Sequence, residues 1–170
     1  MLTLLTAATL LATTPAEAPA PRFADTHAAE AHREVLQGLS RGRSQLLGLY
    51  DWASSRVTLD RDLTEPQARQ VGEAVRATAA AWTRMADKLP AAQAGLVQTE
   101  VTFLRDLFTK ADGLAARLAE EAATPAPRRT EVRHLSSGLY GSLAMAEDLQ
   151  HTLARKLGIA SEAPSPGRAR

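Results

Sequence analysis

Apolar residues recur along this chain at alternating spacings of three and four, and they do so in four separate stretches. In the second stretch Ala68, Val71, Val75, Thr78, Trp82, Met85 and Leu89 trace a single stripe. The third carries Ala94, Val97, Val101, Leu104, Phe108, Ala111, Ala115, Leu118 and Ala122, with Phe103, Leu107 and Leu114 widening the stripe on one side. The fourth has Val132, Leu135, Leu139, Ser142, Ala146, Leu149 and Leu153, flanked by Leu143 and Leu157. In the first, Ala28, Val35, Gly42 and Leu49 share one heptad position, and His32, Leu39, Leu46 and Ala53 share the other. Spacing of this kind gathers side chains on one face of an α-helix.

Proline marks where the stretches end. Pro15, Pro19 and Pro21 precede the first; Pro66, Pro90, Pro125 and Pro127 separate the others; Pro164 and Pro166 fall near the C-terminus. A residue without an N–H that also clashes with the preceding turn is excluded from helix interiors. The pattern therefore predicts a helix from about Thr26 to Ser55, with Asp25 or Thr26 as its cap, and a connection over Arg56 to Leu63. Thr64 is the expected cap of the second helix: Pro66 then falls in the first turn, and Gln67 can return a capping bond. Leu89-Pro90 reads as a tight turn, and Thr124-Pro125-Ala126-Pro127 ends the third helix. A fourth helix follows from Arg128 to Leu157, with Gly158 as its C-terminal cap. Gly38 and Gly42, four apart, would let a neighbouring helix approach. No internal repeat is expected beyond the heptad character of all four segments.

Helices of roughly 24 to 32 residues with short connections most simply form an antiparallel up-down-up-down bundle. The expected fold class is therefore all-α: an N-terminal apolar leader (1–20), a four-helix bundle (22–158) and a disordered tail (159–170). The competing arrangement is two helical hairpins that complete their cores by forming a homodimer.

Composition narrows the function classes. The chain has 170 residues, enough for one sizeable core. Its 20 basic and 19 acidic residues leave a net charge of +1, which gives no support to nucleic-acid binding. Cysteine is absent, which removes thiolate chemistry, iron–sulfur clusters and covalently attached haem. Residues 2–12 form an apolar run of signal-peptide length, and Ala16-Glu17-Ala18 follows with small residues where signal peptidase reads. A periplasmic or secreted location is expected on that basis, with no membrane span after the leader.

Candidate chemistry is sparse. Leu63-Thr64-x-x-Gln67 resembles the L-T-x-x-Q signature of the periplasmic Spy/CpxP family of helical stress chaperones and sensors. The likeness covers those five residues alone, and a capped helix start accounts for the same positions. An up-down bundle would gather His27, His32 and His151 at one pole, the candidate metal or non-covalent haem cluster. His27 and His32, five apart, point about 140° from each other, and no Glu-x-x-His pair accompanies them. No acid–base pair or nucleophile has the setting that catalysis needs, and no cofactor is expected. Tyr50 and Trp52, near the end of the first helix, and Phe103, Leu107 and Leu114 on the wide face of the third are the candidate partner-binding residues. The functional expectation is an exported, non-catalytic bundle that binds a protein, an interaction or chaperone-like module of the cell envelope. The alternative is a carrier of a small ligand, metal or haem.

Overall fold

The computed structural model describes residues 26–159. The leader and the tail from residue 160 lie outside the described residues. Within them the chain forms α1 (Thr26–Ser54), α2 (Arg61–Asp87), the single turn α3 (Ala91–Ala94), a 3-10 turn (Gly95–Val97), α4 (Gln98–Ala122) and α5 (Arg129–Lys156). The four long helices make an all-α antiparallel bundle. Each packs against its two neighbours around the ring α1–α2–α4–α5, and the α2–α4 seam is the most loosely packed of the four. Among the described residues no helix is long and apolar enough to cross a membrane.

The stripes become the core almost residue for residue. Val35, Leu39, Ala68, Leu104, Leu118, Val132, Leu139 and Leu153 are completely or almost completely buried, and so are Ala111, Ala115 and Ala146 between them. Removing such area from water is the main drive for the bundle, at about 25 cal/mol per Å². Gly38 and Gly42 serve two neighbours rather than one. A Cβ on Gly38 would lie 2.3 Å from Oγ1 of Thr78 on α2, and one on Gly42 would lie 3.0 Å from Leu143 on α5.

Two helix starts differ from expectation. The cap of α2 is Asp60, whose carboxylate accepts from the Asp62 N–H at 2.8 Å. Thr64 lies one turn inside, completely buried, with its hydroxyl donating to the Asp60 carbonyl. An acidic cap suits the positive end of the helix dipole, so the helix gains a turn and takes Pro66 into its body. The third expected helix is broken near its start: Val97, with φ −120° and completely buried, turns the chain between the 3-10 segment and α4. At the C-terminus of α5, Gly158 has φ 66°, as a C-terminal cap requires. The Ile159 N–H then reaches the Ala154 carbonyl at 3.0 Å and its side chain is buried, so the bundle includes the first residue of the expected tail.

Candidate functional site

The α1–α5 seam carries the densest cross-helix chemistry. Arg43 on α1 donates to the Tyr140 hydroxyl on α5 at 2.8 Å, and its guanidinium lies 4.9 Å from the centre of that ring. Arg133 on α5 does the same to Tyr50 on α1, at 2.9 Å and 5.0 Å. The two pairs are mirror images in sequence order, and the reason is a repeat. Arg43-Ser-Gln-Leu-Leu-Gly-Leu-Tyr50 and Arg133-His-Leu-Ser-Ser-Gly-Leu-Tyr140 share Arg, Gly, Leu and Tyr at identical spacing. On antiparallel helices an Arg placed two turns before a Tyr meets the Tyr of the other copy, so two equal motifs cross. The result is a local two-fold arrangement in which each cation faces an aromatic ring.

Between the crossed pairs lies a pocket of about 120 Å³, walled by Leu46, Leu47 and Tyr50 from α1 and by Ser136, Ser137 and Tyr140 from α5. The Ser136 hydroxyl is buried without a hydrogen-bond partner. The two ends of the pocket differ in charge. Arg43 also ion-pairs with Glu147, and the Tyr140 hydroxyl first and Glu147 second hold it more firmly protonated than an ordinary arginine. Arg133 has no carboxylate partner among the described residues. One end is therefore neutralised, while the other keeps a half-buried positive charge beside a tyrosine hydroxyl whose proton is free to donate.

The structure brings His32 and His151 together at one pole. His32 is buried, its ring centre is 6.1 Å from that of His151, and the two rings meet edge to face. His27 belongs to the first turn of α1, and its side chain lies outside the described residues. The Nε2 of Gln150, completely buried, stands 3.0 Å from Nδ1 of His32 and 3.2 Å from Sδ of Met85. An amide donating to Nδ1 leaves the imidazole proton on Nε2, and that nitrogen is buried with no acceptor. Burial, and then the charge of His151, push His32 below the usual histidine range. Among the described residues no group of three or more His, Cys, Asp or Glu is arranged to hold a metal ion.

The expected partner-binding residues fall on three surfaces. Tyr50 belongs to the crossed site. Trp52, half-buried one step further along α1, lies under the Arg56 guanidinium at 5.9 Å. Phe103 is exposed, whereas Leu107 and Leu114 pack against the core. Leu114 faces α5, where a Cβ on Gly138 would meet it at 3.8 Å, so this row follows the α4–α5 seam. Arg43, Arg133 and Tyr140 were legible only through the repeat, which alignment by heptads conceals because the copies lie on the first and last helices. No protein-family model, curated protein or solved structure matches the chain.

Proposed function

We propose that this chain is an exported, non-catalytic binding protein of the cell envelope, and that it recognises a protein partner through the α1–α5 seam. The observation that carries the reading is the pair of crossed Arg–Tyr contacts around one small pocket. A dry cavity of about 150 Å³ is large enough for benzene, so a pocket of about 120 Å³ suits one apolar side chain of a partner. The unneutralised Arg133 beside it favours an acidic residue next to that side chain, and two tyrosine hydroxyls can donate to its backbone.

Export rests on the apolar leader. Fractionation of the host should place the full chain outside the cytoplasm and a chain lacking residues 1–20 inside it. The partner is tested in the same cells with a photo-crosslinking residue in place of Leu47 or Ser137. Both positions should yield the same adduct, Arg133→Gln should abolish it, and the outward-facing Glu73 on α2 should yield none. An adduct that forms equally from position 73, or none from either seam position, refutes the reading.

A further inference from the structure

Three of the four seams are crossed by hydrogen bonds or ion pairs. Arg84 joins Glu34 between α2 and α1, Arg117 and Lys156 join Glu131 and Glu100 between α4 and α5, and the Arg–Tyr pairs join α1 to α5. Between α2 and α4 there is none among the described residues. A groove of about 350 Å³ runs there instead, within the size range of small-molecule sites. Its floor is Ala79 with Trp82 and Phe108, whose rings are 5.5 Å apart and tilted by 35°.

The polar groups of this groove are uncommitted. Trp82 is 97% removed from solvent, at 3% exposure, yet its indole N–H has no acceptor. That nitrogen is closed to solvent, so the indole serves as a buried wall of the groove and a reporter of what enters it rather than as a donor open to a ligand. Arg76 and Arg105 line the groove and make no ion pair or hydrogen bond among the described residues. Antiparallel register sets them at opposite ends, Arg105 alone and Arg76 on the same end as Asp112. Two guanidiniums against one carboxylate leave the groove net positive, with the Arg105 end the more so.

The geometry points to a small-molecule site in the α2–α4 groove for a ligand that joins a flat apolar body to a carboxylate. The apolar body lies along Ala79 and the edges of Trp82 and Phe108 that line the groove, and the carboxylate faces Arg105. The Arg76–Asp112 end tolerates a neutral polar substituent and opposes a second anionic group. This site is independent of the α1–α5 reading: it uses different helices and a different class of ligand.

The test follows the two indole N–H resonances of the full chain by NMR, assigned with Trp52→Phe, during titration with 4-phenylbutyrate and with uncharged 4-phenyl-1-butanol. The Trp82 resonance should shift saturably with the acid while that of Trp52 stays in place. The acid should bind about tenfold more tightly than the alcohol, as expected for one charge-assisted contact. Arg105→Gln, at an exposed position that leaves the fold intact, should remove that preference, and Arg117→Gln should keep it. The inference is overturned if Trp82 does not respond to millimolar acid, if acid and alcohol bind equally, or if Arg117→Gln weakens binding as much as Arg105→Gln.

Discussion

The α1–α5 and α2–α4 seams lie on opposite sides of the bundle and are built on the same antiparallel geometry, yet they are closed by different means. On the first, Gly42 brings the helices together and the crossed Arg–Tyr pairs, Glu147, and the His32–Gln150 contact span them from end to end. On the second, Trp82 and Phe108 supply the contact, and the flanking arginines make no bond across it among the described residues. An interface with only hydrophobic area depends on the few side chains that provide it. A laced interface spreads its stability over many modest contacts and fixes register as well.

The contrast is broken most severely at Trp82. Trp82→Ala should lower unfolding free energy by about 3–5 kcal/mol, since a buried ring is lost and no polar contact among the described residues holds the seam. Denaturant unfolding measures the loss, and hydrogen exchange should show α2 and α4 losing protection ahead of α1 and α5. A loss under about 1 kcal/mol would mean that the aromatic contact does not hold this seam.

Removing one cation from the other seam should do less. Arg43→Met strands the Glu147 carboxylate and should cost about 1–3 kcal/mol, while Arg133→Met, which leaves no charge behind, should cost about 0.5–1.5 kcal/mol. Double-mutant cycles with Tyr140→Phe and Tyr50→Phe separate the Arg–Tyr coupling from the ion pair. Equal losses for the two arginines would show that the charge difference between the pocket ends has no energetic consequence.

Acid should act first on the laced seam. His32 is below its ordinary pKa of 6.5 in the folded state, so below pH 6.5 the unfolded chain binds the extra proton and stability falls as pH decreases. That loss levels off once the pH passes below the folded-state pKa. Glu100 and Glu121 have the opposite chemistry and the same direction of effect. Hydrogen bonds from Lys156 and from Arg128, respectively, hold them below the usual 4.5, so their contribution is complete above pH 4.5 and is lost as acid protonates them in the fold. Thermal midpoints across pH 4.5–6.5 should therefore decline in the native chain and stay flatter in His32→Gln. A decline of equal steepness in both would assign the acid sensitivity to other groups.

The sequence made one part of this contrast visible and hid the other. Trp82 and Phe108 occupy unbroken heptad stripes, so their place in the core follows from spacing alone. Polar residues beside the fourth stripe follow no such rule: Ser136 and Gln150, each seven residues from the flanking Leu143, are buried because α5 turns that row inward, and nothing in composition marks them. Thr64 illustrates a different limit. Two adequate caps stand four residues apart, and only the folded geometry selects Asp60. The crossed site was present in the sequence as Arg-x4-Gly-Leu-Tyr, but its meaning depends on two helices lying antiparallel and adjacent, a relation that spacing along one chain does not contain.

The smallest expected effect comes from making the open seam resemble the laced one. Thr83 and Arg105 line the same groove from facing helices, and the Thr83 hydroxyl already spends its proton on the Ala79 carbonyl. Thr83→Glu would place a carboxylate within reach of Arg105 and should add about 0.2–1 kcal/mol, the range for exposed ion pairs, measured by denaturant unfolding and diminished by salt. The same substitution should cancel the positive end of the groove, so that 4-phenylbutyrate no longer shifts the Trp82 indole resonance. The two readouts separate structure from recognition. A gain in stability together with lost binding means that Arg105 had been held free for an anion at some cost to the fold. Unchanged stability with lost binding limits the role of Arg105 to the ligand, and retained binding would show that Arg105 does not face the carboxylate.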